Sequence, residues 1–175
     1  MTDLVIRRAG PGVTLQDLGR RGHGRWGVTG AGAMDPVAFR LAARALGNPP
    51  ETAAIEVSLG GVEVEAEGGT LVVAVAGGGF EVRLDDRRLP SAVVVPLPPG
   101  ARLSIRPGTE GAWATLAVAG EFAVPSVLGS RATHTRSHLG GLDGRALRAG
   151  DRLPIADPRR PVEAAMALDT AVLDG

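Results

Sequence analysis

Apolar and polar positions alternate with a period of two over several short stretches of this 175-residue chain. Residues 54–67 interleave apolar with acidic positions, which predicts a half-exposed strand pair with Gly60-Gly61 as the turn or bulge between its halves. Residues 70–76 form a continuous apolar run short enough for one buried strand; Gly77-Gly78-Gly79 interrupts it and 80–84 alternates again. Asp85-Asp86 with Arg87-Arg88 predicts an exposed hairpin tip. Further strands are expected at 91–95, 101–106 and 112–118, separated by Pro98-Pro99-Gly100 and Pro107-Gly108. A first strand begins at Leu4-Val5-Ile6, and a turn at 148–153 leads into a last one. Strands recurring every 8–12 residues or so, with turn chemistry between them, predict a barrel or sandwich rather than βαβ units.

The period changes only once with conviction. Asp35 is a good N-cap, Pro36 a natural first helical residue and Gly47 a C-terminal stop. Val37, Leu41, Ala42, Ala45 and Leu46 supply an apolar stripe, so a helix is expected over 36–46, about 16 Å long. The glycine-rich stretch leading into it reads as a binding loop. Residues 142–147 suggest a short helical turn. From 156 the character shifts to a linker and an Ala-rich tail, helical or disordered. The expected organisation is one domain over 1–155 and a linker or helical tail over 156–175.

Composition narrows the chemistry. The apolar share of 44% fits a globular core, but aromatics make up only 3%, so the core must be Val, Leu, Ile and Ala. Cysteine is absent, which removes disulfides, thiolate metal sites and cysteine nucleophiles. All nineteen basic residues are Arg, which removes a Walker lysine, a Schiff base and a lysine base. Anions must then be held by guanidinium forks or backbone N–H groups. Nineteen acids balance them, so no net field favours nucleic acid or an anionic membrane. The N-terminus has no signal-peptide core and no run is long enough to span a bilayer, so a cytoplasmic protein is expected.

Candidate chemistry lies in four places. Gln16, Asp17, Arg20 and Arg21 place an amide, a carboxylate and two guanidiniums on a glycine turn. They read either as a carboxylate or phosphate clamp or as an Asp17–Arg20 pair locking the loop. Gly30 to Asp35, including Met34, opens the helix; its N–H groups read as an anion site or as simple capping. It lacks the third glycine and the preceding parallel strand of a dinucleotide fingerprint. Glu56, next to Ile55, must be paired if it faces inward, with a loop Arg as the expected partner. His134 and His138 have metal-ligand spacing on a helix, but their Ser/Thr/Arg setting argues for a loop and no metal site is expected. Ser130, Arg131, Thr133 and Arg136 make a better anion or carboxamide surface.

Several phrases taken together carry a resemblance: Thr14 to Arg20, Gly30 to Asp35, Leu46-Gly47-Asn48, Ala54-Ile55-Glu56, Val127 to Thr133, Gly140-Gly141 and Gly150-Asp151. In this order and spacing the chain resembles the allophanate hydrolase subunit 2, or carboxyltransferase-domain, family. That family contains the C-type component of 5-oxoprolinase, the antagonist of the sporulation kinase inhibitor, and part of urea carboxylase. The resemblance, over roughly residues 5–153, implies a cyclophilin-like β-barrel with one main helix, in agreement with the strand count. It implies a partner of the subunit 1 family (the B-type component) and a third, lamB-type subunit. It also implies ATP-dependent opening of 5-oxoproline to glutamate, with the chain inactive alone. Biotin-dependent carboxyl transfer to a urea-like amide and non-catalytic regulation of a partner are the alternatives.

On the 5-oxoprolinase scheme Gln16, Asp17 and Arg131 are the candidate catalytic residues. Arg20, Met34, Asp35, Glu56, Ser130 and Thr133 are the candidate substrate-binding residues. Family members usually continue into a second, related barrel that nothing after Leu153 matches, so the chain is expected to be a first half or a shortened member. Any catalytic lysine must come from elsewhere.

Overall fold

In the computed structural model, residues 2–159 and 165–169 are described. They form strands β1 (Thr2–Ala9), β2 (Thr14–Gln16), β3 (Ala54–Ser58), β4 (Val62–Glu67), β5 (Leu71–Ala76), β6 (Glu81–Leu84) and β7 (Arg87–Leu89). These are followed by β8 (Val93–Leu97), β9 (Arg102–Arg106), β10 (Trp113–Val118), β11 (Glu121–Phe122), β12 (Arg152–Ala156) and β13 (Met166–Ala167). The α-helix among them, α1, spans Pro36–Ala45. The mostly-β expectation with one main helix therefore holds. The strands make two antiparallel sheets rather than a closed barrel: one in the order β11-β12-β1-β4-β9-β6-β7, the other β13-β8-β5-β10-β3-β2.

The layers follow from which faces are apolar. On β4, Val62, Val64 and Ala66 point inward while Glu63, Glu65 and Glu67 are half-exposed, because the first sheet has one face in water. On β5 all six residues are buried. Leu71, Val73 and Val75 enter the core between the sheets, and Val72, Ala74 and Ala76 lie under α1. The second sheet is thus the middle layer of three.

The two halves of 54–67 do not pair with each other. β3 lies beside β10 and β2 in the second sheet, and β4 beside β1 and β9 in the first. The turn between them carries the chain from one layer to the other, and β3, buried on both sides, is not half-exposed.

Helix α1 starts as expected, with Asp35 Oδ1 accepting from the Val37 and Ala38 N–H groups. Its buried face includes Ala42 of the expected stripe, with Leu41, Ala45 and Leu46 packed against the same cluster, and departs from the stripe at Val37. Ala38, Phe39, Ala42 and Ala43 face the sheet, whereas Val37 is 42% exposed. The sheet beneath offers Ala74, Ala76, Ala117 and Ala119, and this small-residue floor lets the helix backbone approach closely.

Residues 142–145 form a turn closed by a Leu142–Arg145 bridge, not a helical one. Within the expected helical or disordered tail, Met166 and Ala167 pair with Val94 and Val93 as a short edge strand. The rest of that expectation, at 160–164 and 170–175, lies outside the described residues.

Candidate active site at the loop crossing

Strand β2 is the outermost strand of the second sheet, and its free side is where the candidate residues gather. The Thr133 N–H and Oγ1 both donate to Leu15 O, at 2.8 and 2.9 Å. The Leu147 N–H donates to Val13 O at 2.8 Å. The loop around residue 130 therefore continues the sheet beyond its last strand. It meets the glycine-rich loop that leaves β2.

Three side chains knit the crossing together. Gln16 Nε2 donates to Thr14 Oγ1 and to Thr133 O, while its Oε1 accepts from the Gly32 N–H at 3.0 Å. The Asp17 carboxylate accepts from the Gly19 N–H (2.8 Å), Ser130 Oγ (2.7 Å) and the Arg131 N–H (2.6 Å). Arg20, only 1% exposed, sends Nε to Val127 O and Nη2 to Ala132 O, each at 2.9 Å. Asp17 and Arg20 do lock the loop, but each binds the residue-130 loop and neither binds the other. The crossing is tight: a Cβ on Gly140, which has φ +64°, would lie 2.2 Å from Ala132 O and 2.8 Å from Arg20 Nη2.

Glu56 departs from expectation. Its partner is not an arginine but the backbone N–H of Met34, which donates to Oε1 at 2.5 Å. Burial pushes the Glu56 carboxyl above its ordinary value; the Met34 amide opposes this and the nearby Asp35 charge adds to it. The bond fixes the approach to α1 against the sheet.

Asp17, Ser130 and Arg131 come together on a cleft of about 110 Å³, with Glu51, Ser126 and Gly129 on its other walls. The Arg131 guanidinium lies at its rim, Nη1 2.6 Å from Glu121 Oε1 and Nε donating to Val124 O. Gln16, Arg20 and Thr133 sit behind the cleft as buried props. Met34, whose side chain is exposed, and Asp35, which caps the helix, are not on it. Glu56 is at the helix approach.

Sequence reasoning missed Glu51 and Glu121, whose relation to Arg131 depends on how the layers stack. It also missed Leu128, which holds φ +53° beside Gly129 at the cleft's edge. A leucine carries no turn signal of its own, so only the neighbouring glycine marked that bend. His134 and His138 flank a 3₁₀ turn, Thr135–Ser137, rather than sharing a helix face.

The glycine loop's last turn before α1 has these amides already taken: the Gly32, Ala33 and Met34 N–H groups by Gln16, Asp17 O and Glu56, and those of Val37 and Ala38 by Asp35.

Comparison with known proteins gives the class to which this two-sheet fold and its loop crossing belong. The chain belongs to the carboxyltransferase domain family (subdomains A and B), whose model matches residues 26–174. It is 41% identical over 157 residues to the C subunit of 5-oxoprolinase from Escherichia coli, covering 90% of this chain and 50% of that protein. It is 39% identical over 165 residues to the urea amidolyase of Saccharomyces cerevisiae, covering 93% of this chain and 9% of that one. The crystal structure of the Kluyveromyces lactis urea carboxylase superposes with a TM-score of 0.83 at 32% identity, over 91% of this chain and 15% of that one. The chain thus spans half the length of the E. coli protein.

Proposed function

We propose that this chain is the C-type component of an ATP-dependent 5-oxoprolinase. In this reading it works in the cytoplasm with a B-type partner and a lamB-type third subunit and is inactive alone. The observation that carries the reading is the 41% identity to the E. coli 5-oxoprolinase component over nearly the whole chain. The site chemistry is compatible with it.

The reaction transfers the γ-phosphoryl group of ATP to the lactam oxygen. Water then adds at the phosphorylated carbon and the C–N bond breaks to leave a γ-glutamyl phosphate, and a second water displaces phosphate to give glutamate. The amides at the entry to α1 are already taken, so in this reading ATP is held by the partner proteins. The cleft would receive the lactam. Arg131, at the rim, would lie near charge developing on the lactam oxygen, and the Ser130 hydroxyl, oriented by Asp17, would hold the ring amide. Gln16, Arg20 and Thr133 would act as positioning residues that keep the two loops in register.

The test is phosphate release by the three-protein mixture, with and without 5-oxoproline. Release that depends on both this chain and 5-oxoproline is expected. Arg131→Ala should lower the rate roughly 100-fold, the usual size for one lost charge-stabilising donor. An unchanged rate in an intact complex removes Arg131 from the site.

The 39% identity to urea amidolyase favours one second reading, biotin-dependent carboxyl transfer to a urea-like amide. It predicts turnover that needs bicarbonate and an avidin-binding partner, and no response to 5-oxoproline.

A further inference from the structure

Helix α1 leaves Val37, Arg40 and Arg44 exposed. Its sheet-facing side is spent on Ala38, Phe39, Ala42 and Ala43. Along its flank, Val37, Leu41, Ala43 and Pro50 form the apolar part of a groove of about 620 Å³, with Leu41 half-buried against the helix–sheet core. Its margins are Arg40 and Arg44, one turn apart on the same helix face and both exposed.

The two arginines differ from three on the first sheet. Arg7, Arg102 and Arg152 each meet a glutamate across the strands. Arg40 and Arg44 meet no carboxylate among the described residues, α1 carries no acid, and none lines the groove. An apolar floor between two unneutralised guanidiniums is complementary to an apolar segment that carries carboxylates. A second copy of this chain does not fit, because a two-fold contact would set the arginines of one copy against those of the other.

We infer that the outer face of α1, centred on Val37, Leu41, Arg40 and Arg44, is the docking surface for an acidic, apolar-faced segment of the B-type partner. The inference rests on the 5-oxoprolinase reading for the identity of that partner. It places the partner on the helix side of the second sheet, on the layer whose far strands lead to the cleft.

The experiment measures binding of the B-type protein to this chain by titration calorimetry. It compares the unaltered chain, Arg40→Glu/Arg44→Glu, Val37→Asp and the control Arg87→Glu, which lies on the edge strand β7. The substituted side chains are exposed, so circular dichroism and thermal unfolding should match the unaltered chain. The double reversal and Val37→Asp should each weaken binding at least tenfold, with Arg87→Glu without effect. Added salt should weaken the unaltered complex and not the doubly reversed one. A complex that forms and ignores both α1 variants overturns the docking surface while leaving the functional reading standing. No complex with the unaltered chain overturns the partner assignment itself, and the docking inference falls with it.

Discussion

The solvent face of the first sheet and the loop crossing beside the second carry the same kinds of residue and use them in opposite ways. On the sheet, charge answers charge. Arg152 reaches Asp3 and Glu67, Arg7 reaches Glu67 and Glu65, and Arg102 reaches Glu63, in a ladder across four strands. At the crossing Asp17 and Arg20 are both buried and three residues apart, yet each binds backbone or hydroxyl groups of a loop more than a hundred residues away. The difference is one of solvent. In water, an ion pair gains little over two hydrated ions. Out of water, every donor needs an acceptor, and one carboxylate that answers three donors fixes two loops at once.

The largest expected effect follows at Asp17. Replacing it with alanine leaves the buried Ser130 hydroxyl and the part-buried Gly19 and Arg131 N–H groups without their acceptor. Urea unfolding should show a loss of roughly 3 kcal/mol, since one abandoned buried donor costs about 1–3 kcal/mol. A loss under about 0.5 kcal/mol, the size of a surface pair, would dissolve the contrast between the two regions.

The two regions also differed in how much their residues announced in advance. Period-two alternation exposed β4 and β9 because one face of the first sheet meets water. Continuous apolar runs exposed β5 and β10 because the second sheet is covered on both sides. Alternation could not say that β3 and β4 part company, since pairing partners are set by layer stacking and not by local pattern. The helix was legible from Asp35 and Pro36, and its buried face in part: Ala42 was expected inside, Ala38 and Phe39 were not. Hydrophobicity ranks Val37 above Ala38, but the helix is rotated so that Ala38 and the larger Phe39 meet the sheet and Val37 does not. At the crossing, residue types marked Asp17 in one stretch and Ser130 and Arg131 in another, as separate candidates. No spacing reveals that Asp17 accepts from Ser130, or that Glu56 meets an amide rather than an arginine.

Glu56 and Glu65 carry the same comparison into pH. Hydrogen bonding from Arg7 holds the Glu65 carboxyl below its ordinary value of 4.5. Burial pushes that of Glu56 above the same value. A lowered carboxyl contributes stability that is present above the unfolded value and lost as pH falls through the folded one. A raised carboxyl does the reverse: the folded state binds the extra proton, so stability falls as pH rises from about 4.5 through the raised value. Glu56→Gln keeps an acceptor for the Met34 N–H and removes the titration. Stability measured against pH should therefore lose that descending step. Glu65→Gln should instead lose part of the drop on the acid side. Profiles that shift in the same direction would mean that the two sites share one environment.

The smallest effect is expected on the ladder, at Arg102. Its Nη1 lies 3.3 Å from Glu63 Oε1, and its side chain is 58% exposed. Arg102→Ala removes a solvated pair and frees a long side chain whose ordering opposed the contact, so the two terms nearly cancel. The change should stay below about 0.5 kcal/mol and fade further in high salt, because exposed charges are screened. The backbone N–H of Arg102, which donates to Asp85 Oδ1, survives the substitution and keeps β9 tied to the hairpin turn. A cost that approached that of Asp17→Ala would show that the ladder acts as one cooperative network. Arg7→Ala, at the ladder's centre between Glu65 and Glu67, would then have to cost more than Arg102→Ala at its end.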